Sequence, residues 1–157
     1  MNLPEEFIIR MQKRLGAAYP AFLRCYDAPP VRGVRANLLK LSAEAFVALA
    51  PFAGERVPWA EGGFYTAAEK VGHSPAWHAG LFYAQEPSAM CAAPLLAVKP
   101  GERVLDLCAA PGGKTTQLAA AMRGEGVLVA NEYVFDRARI LSQNAERLGV
   151  RNPAVVS

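Results

Sequence analysis

Apolar and polar positions recur along the chain with two different periods, and together they divide it into elements. Phe7, Ile8, Met11 and Leu15 sit at helical spacing after Leu3-Pro4-Glu5-Glu6, which predicts a first helix stopped at Gly16. A second short helix is predicted over 19–26, ended by Asp27-Ala28-Pro29-Pro30. Residues 31–39 (VRGVRANLL) read as a strand carrying Arg32 and Arg35. Ser42 then caps a helix over 43–50 that Pro51 closes. Between Phe52 and Trp77 the Gly, Pro and aromatic content predicts short strands and turns, and 80–83 a short extended piece. Glu86-Pro87-Ser88 opens an apolar helix running to about Val98.

From Lys99 onward the pattern sharpens. A buried strand over 103–107 leads into a Gly-rich loop and a helix over 115–122. A second strand follows over 127–130, then a helix over 136–148 ended by Gly149, then the start of a third strand at 154–157. This β-α-β-α-β order is the opening of a doubly wound parallel sheet, so the fold class is α/β, a partial Rossmann-like fold. A small α+β domain precedes it. The boundary is placed softly at 70–80, giving domains of 1–75 and 76–157.

Composition narrows the class. Hydrophobic residues make up 52% of the chain and charged residues 20%, so a packed core is expected and wholesale disorder is not. A net charge of +3 is compatible with a polyanionic partner and does not by itself establish one. Three cysteines stand far apart at Cys25, Cys91 and Cys108, an odd and sparse set that argues against a disulfide framework. Cys25 and Cys91 read as packing residues. Glu5, Glu6, Arg10, Lys13 and Arg14 interrupt the first helix, unlike the apolar core of a signal peptide. No apolar stretch is long enough to cross a bilayer. The expectation is a soluble cytoplasmic protein without membrane contact. His73 and His78 lack metal-ligand spacing and a carboxylate partner, so no metal site is expected.

The chemistry concentrates in the loop Cys108-Ala109-Ala110-Pro111-Gly112-Gly113-Lys114. Small residues let backbone N–H groups approach a ligand, and the following helix offers its positive N-terminus. The second strand ends in Asn131-Glu132, and Glu132 follows Cys108 by 24 positions. A carboxylate there suits a ribose diol. A phosphate-binding loop would need Gly where Cys108 stands, although Gly113-Lys114-Thr115 matches its end. The Gly-x-Gly-x-x-Gly spacing of a dinucleotide site is absent. The plainest alternative is a strand–helix turn with glycines for packing only. Loop and Glu132 together favour a nucleoside-cofactor site.

Residues 105–116, Leu-Asp-Leu-Cys-Ala-Ala-Pro-Gly-Gly-Lys-Thr-Thr, resemble the S-adenosylmethionine loop of the RNA 5-methylcytosine methyltransferases, the nucleolar-protein/Sun family. Residues 83–90, Tyr-Ala-Gln-Glu-Pro-Ser-Ala-Met, resemble the helix start that precedes it. Arg35-Ala36-Asn37-Leu38-Leu39-Lys40 resembles the family's N-terminal Arg-x-Asn-x-x-Lys segment, and Gly63-Phe64-Tyr65 also fits. The bacterial enzymes that methylate cytosine in ribosomal RNA match best.

The resemblance implies a class I methyltransferase fold with S-adenosyl-L-methionine as cofactor, bound by residues 108–114 and Glu132. It implies ribosomal RNA as partner, guided by residues 1–75. In the family a cysteine thiolate adds to carbon 6 of cytosine and makes carbon 5 nucleophilic, and a second cysteine helps remove the carbon 5 proton. The Asp-Ala-Pro-Cys-Ser-Gly and Thr-Cys-Ser contexts of those cysteines do not occur here, so no catalytic residue is expected in this chain. Three strands leave part of the sheet uncovered, so a second chain completing the fold is a candidate partner, and the chain alone is expected to be inactive. Arg137 has two readings, a reach to cofactor or substrate phosphate and a solvated helix face; we count it with the cofactor residues. Lys114 has two readings, a contact to the cofactor carboxylate and a side chain pointing to solvent, and we take the first. Asp106 is expected to buttress the loop by accepting backbone N–H bonds. Gln85, Glu86 and Ser88 either line the substrate side of the cleft or cap a helix. Arg32, Arg35 and Lys40, beside Tyr65 and Trp77, either contact RNA or serve as surface cations and core aromatics. Two other readings stay open: a methyltransferase on another substrate, and a non-catalytic RNA-binding module or partner subunit.

Overall fold

A computed structural model describes residues 3–151 and 153–157, in two compact units that divide after Pro30. In the first, α1 (Glu5–Leu15) starts with Glu5 and Glu6 in its first turn and closes with Lys13 and Arg14 in its last, matching the helix dipole. Gly16 ends it with φ +50°, as its position predicted. A 3-10 turn (Gly16–Ala18) leads into α2 (Tyr19–Arg24). Phe22 is the hub of this unit, with the rings of Phe7, Tyr19 and Tyr26 around it at centroid distances of 6.3, 6.3 and 5.4 Å. Cys25 corrects an expectation. It lies exposed just past α2, its thiol turned back to the Ala21 carbonyl, and it packs no core.

The second unit, Val31–Ser157, opens with β1 (Arg32–Ala36), α3 (Ala43–Leu49), β2 (Gly63–Thr66), α4 (Pro75–His78) and β3 (Phe82–Ala84). The strands form an antiparallel sheet in the order β2-β1-β3, with Val34 opposite Phe64 on one side and Ala84 on the other. Its core is Val34, Ala36, Phe46, Phe64 and Phe82, where the Phe46 ring sits 5.7 Å from Phe64 and 5.6 Å from Phe82. Ser42 caps α3 as predicted, its hydroxyl accepting from the Ala45 amide at 3.1 Å. The first strand stops at Ala36, short of the predicted 39. The Asn37 carbonyl takes the Lys40 amide at 2.9 Å and its side-chain oxygen takes the Leu39 amide at 3.2 Å, which turns the chain out of the sheet.

The apolar helix predicted from Pro87 to Val98 is broken into a 3-10 helix (Pro87–Met90) and α5 (Ala92–Leu96). Pro94 is the physical reason. It has no N–H to give the Met90 carbonyl one turn back. That carbonyl accepts instead from Nε2 of Gln117, at 2.9 Å.

The remaining elements are β4 (Arg103–Asp106), α6 (Gly113–Met122), β5 (Val127–Asn131), α7 (Phe135–Leu148) and β6 (Pro153–Val156). They make the predicted parallel sheet in the order β4-β5-β6. Both helices cover one face. Val104 and Leu128 pack on Leu118, Ala119 and Met122 of α6, and Ala130 and Val155 on Leu141 of α7. The alternate residues point the other way, and there Leu105, Val127 and Val156 remain exposed.

Candidate cofactor site

The loop after β4 and the end of β5 come together at the carboxyl edge of the parallel sheet, where open α/β sheets bind ligands. The Ala109 amide donates to the Asn131 carbonyl at 2.9 Å, and the Asn131 side-chain amide to the Leu107 carbonyl at 2.9 Å, so the two strand ends are laced together. Asn144 of α7 holds the Pro111 carbonyl at 2.8 Å. Ala109, Ala110 and Gly112 are buried, whereas Cys108, Pro111 and Lys114 are exposed. Gly112 adopts φ +110°, and a Cβ there would come within 3.2 Å of Leu141. Only glycine enters α6 from this direction without strain. The amides over 113–115, in the first turn of α6, have no intrahelical acceptors.

Glu132 is only 5% exposed. Its amide donates to the Val156 carbonyl at 3.0 Å, while Oε1 accepts from the Val134 amide at 3.0 Å. Arg137 completes the bridge. One guanidinium nitrogen lies 3.3 Å from Oε2 of Glu132, and another donates to the Ala110 carbonyl at 3.1 Å. Loop and carboxylate, 24 positions apart in sequence, are therefore linked through one side chain. A buried carboxylate, a close-approach backbone and a helix N-terminus form a donor and acceptor set that fits a nucleoside carrying a carboxylate.

Asp106 supports the loop differently from expectation: its Oδ2 accepts from the Thr115 hydroxyl at 2.7 Å, a side-chain donor in place of backbone N–H. Gln85 is buried, while Glu86 caps the 3-10 helix, taking the Ser88 hydroxyl at 2.6 Å. Arg32 pairs with Glu69 at 3.2 Å on the surface. His73 and His78 are exposed, and no cluster of metal-ligating residues occurs among the described residues.

Residues 3–87 match the family model described as the N-terminal domain of 16S rRNA methyltransferase RsmF, and residues 93–157 the one described as 16S rRNA methyltransferase RsmB/F. The chain belongs to the RsmB/F family of rRNA methyltransferases. Ribosomal RNA small subunit methyltransferase F of Vibrio vulnificus (strain YJ016) is 41% identical over 164 residues, covering 98% of this chain and 35% of the relative. The Enterobacter sp. (strain 638) protein of the same name is 38% identical, covering 97% and 34%. The chain thus spans about a third of the length of the curated relatives it matches. A methyltransferase homolog from Pyrococcus horikoshii superposes with a TM-score of 0.83 at 34% identity, covering 98% of this chain and 56% of that one. NSun6 from the same organism, solved with SFG, gives 0.87 at 18% identity over 98% and 65%, a likeness of fold. The family resemblance and the α/β methyltransferase architecture expected from the sequence are both borne out.

In this RsmB/F chain the Arg-x-Asn-x-x-Lys segment is turned inward. Arg35 is buried against α6, and the Asn37 amide donates to the carbonyls of Gly80 and Leu148, both at 2.8 Å. Lys40 donates to the carbonyls of Ala79 at 2.7 Å and Arg147 at 2.9 Å. A cation on the last carbonyls of α7 complements the helix dipole. Partial burial and the nearby Arg147 charge lower the Lys40 pKa. Arg147 lies over the Trp77 ring at 4.0 Å and donates to the Trp77 carbonyl at 2.8 Å. Trp77 falls on the core-aromatic reading, whereas Arg35 is a buried cation and not the surface cation that the sequence offered as the alternative to RNA contact. The residues behind the loop, Tyr83, Gln85 and Thr116 among them, were missed as a set. The available signal was an arginine inside a strand whose neighbours Val34 and Ala36 are fully buried.

Proposed function

We propose that this chain supplies the cofactor-binding part of an S-adenosylmethionine-dependent enzyme that methylates carbon 5 of cytosine in small-subunit ribosomal RNA. The observation that carries the reading is the buried Glu132 carboxylate bridged by Arg137 to the loop over 108–114. In this reading Glu132 accepts hydrogen bonds from the ribose diol, and Gly112 and Gly113 let the backbone close on the ligand. The first-turn amides of α6 and Lys114 face the carboxylate of the methionine part. Cys108, Ala109, Ala110 and Pro111 form the wall, and Arg137 orients Glu132 against Ala110. The bound cofactor supplies an electrophilic methyl group. Residues 1–75 guide the RNA, residues 76–157 hold the cofactor, and the cytoplasm is the site of action. Cytosine activation calls for a cysteine thiolate at the base. Cys108 belongs to the loop, and neither Cys25 nor Cys91 lies in the Asp-Ala-Pro-Cys-Ser-Gly or Thr-Cys-Ser context of the family's cysteines. The 157-residue chain by itself is therefore expected not to turn over.

Calorimetric titration of S-adenosylhomocysteine into the chain, beside Glu132→Ala, tests the reading. Losing hydrogen bonds to a charged acceptor is expected to weaken binding by about 1.5–3 kcal/mol. Equal affinity of the two proteins would remove Glu132 from the site and the reading with it.

A further inference from the structure

Arg35 is 3% exposed, and no carboxylate lies within ion-pair distance of it among the described residues. Burial lowers its pKa to about 10, opposed by the Tyr83 phenol, so it stays charged at neutral pH. A buried cation without a counterion is costly, and an apolar side chain of the same length would fill the space at lower cost. What the guanidinium does instead is donate. Nε gives to Oε1 of Gln85 at 2.8 Å, and Nη2 gives to the Gly113 carbonyl at 3.0 Å and the Thr116 hydroxyl at 2.7 Å. The Thr116 hydroxyl donates in turn to the Gly112 carbonyl at 2.8 Å. Gln85 is fixed in turn by donating to the Ala89 carbonyl at 3.1 Å. A Cβ at Gly113 would stand 3.4 Å from both Gln85 and Tyr83, so the first turn of α6 rests directly on this group.

We infer that Arg35 is a positioning residue for the cofactor, holding Gly112, Gly113 and Thr116 from behind so that the antiparallel sheet is a working part of the cofactor site. The inference rests on the reading of the loop and Glu132 as that site. Nearly eighty residues separate Arg35 from its partners on α6, so the bonds are not a local consequence of chain direction. They set the one turn whose amides open toward the ligand. The guanidinium charge also adds, from behind the turn, to the positive end of α6, which favours an anionic group of the ligand.

The test measures amide hydrogen exchange over 112–117 and S-adenosylhomocysteine affinity in the wild-type chain, Arg35→Met, Arg35→Lys, Thr116→Val and Glu132→Ala. Arg35→Met is expected to speed exchange over 112–117 by about tenfold while Leu141–Ala145 in α7 stays unchanged, and to weaken binding at least about fivefold. Arg35→Lys restores part of both effects, and Thr116→Val shows a smaller change in the same amides. Thr116→Val also decides the matter should Arg35→Met fail to fold. Unchanged exchange over 112–117, a uniform rise through α6 and α7 together, or wild-type affinity in a folded Arg35→Met would each overturn the inference. Glu132→Ala separates the two ideas, because it should weaken binding without altering exchange over 112–117. If no protein in the set binds, the site reading fails on its own and the exchange comparison still decides whether Arg35 fixes the turn.

Discussion

Gly80 shows how much a single residue carries. It sits at φ +66°, and a Cβ built on it runs into the carbonyl of Arg147 and the ammonium of Lys40. Its own carbonyl accepts from the Asn37 side chain. Gly80→Ala therefore forces apart β1, the turn before β3 and the end of α7 in one step. The expected cost is about 3 kcal/mol from combined backbone strain and overpacking. In thermal unfolding that lowers Tm by roughly 6–12 °C for a chain of this size. A melting curve superposable on wild type would mean that the three segments part without loss. Nothing in the hydrophobic pattern distinguishes Gly80 from Gly72 or Gly101, because the pattern records a residue's neighbours in sequence and Gly80 is fixed by residues more than forty positions away.

At the scale of elements, the start of α6 joins the loop's conformation to the proposed cofactor site. Gly112→Ala places a side chain at φ +110° and against Leu141. It is expected to destabilise by about 1–3 kcal/mol and to abolish measurable S-adenosylhomocysteine binding, checked by melting and titration on the same sample. Binding at wild-type strength would show that the loop tolerates a shifted entry into α6. Elements set by local rules were legible in advance: α1 ended by Gly16, α3 capped by Ser42, and the strand–loop–helix around residues 103–122. The loop and Glu132 were legible because small residues and a strand-end carboxylate are explicit in the sequence, and the structure brings them together. Two elements were misjudged for reasons of partnership. The helix after Pro87 breaks because Gln117 takes over the carbonyl that Pro94 cannot serve, and β1 ends early because Asn37 takes the Leu39 and Lys40 amides and turns the chain out of the sheet. Periodicity cannot report a partner that lies on another element.

At the scale of the molecule, the parallel sheet carries α6 and α7 on one face, and the described residues of its own unit put no helix on the other. Parallel strands are ordinarily buried on both faces. Leu105, 57% exposed, lies on the bare face that also carries Val127 and Val156, on β4 at the edge of the three-stranded sheet. Such a patch drives association. The chain is expected to associate with rising concentration, and Leu105→Lys to shift sedimentation toward the monomer without lowering the melting temperature. A wild-type chain that stays monomeric up to high concentration would show that the face is quiet.

The bond from Asn37 to the Leu148 carbonyl spans 111 positions. A ribosome releases β1 and its hairpin long before α7 has left the exit tunnel. During that interval the antiparallel sheet can pair its strands and the Asn37 amide can reach the Gly80 carbonyl, yet its second acceptor on Leu148 does not exist. The two segments thus lock late, and the loop over 108–114 gains its bonds from Arg137 and Asn144 only when α7 has been made.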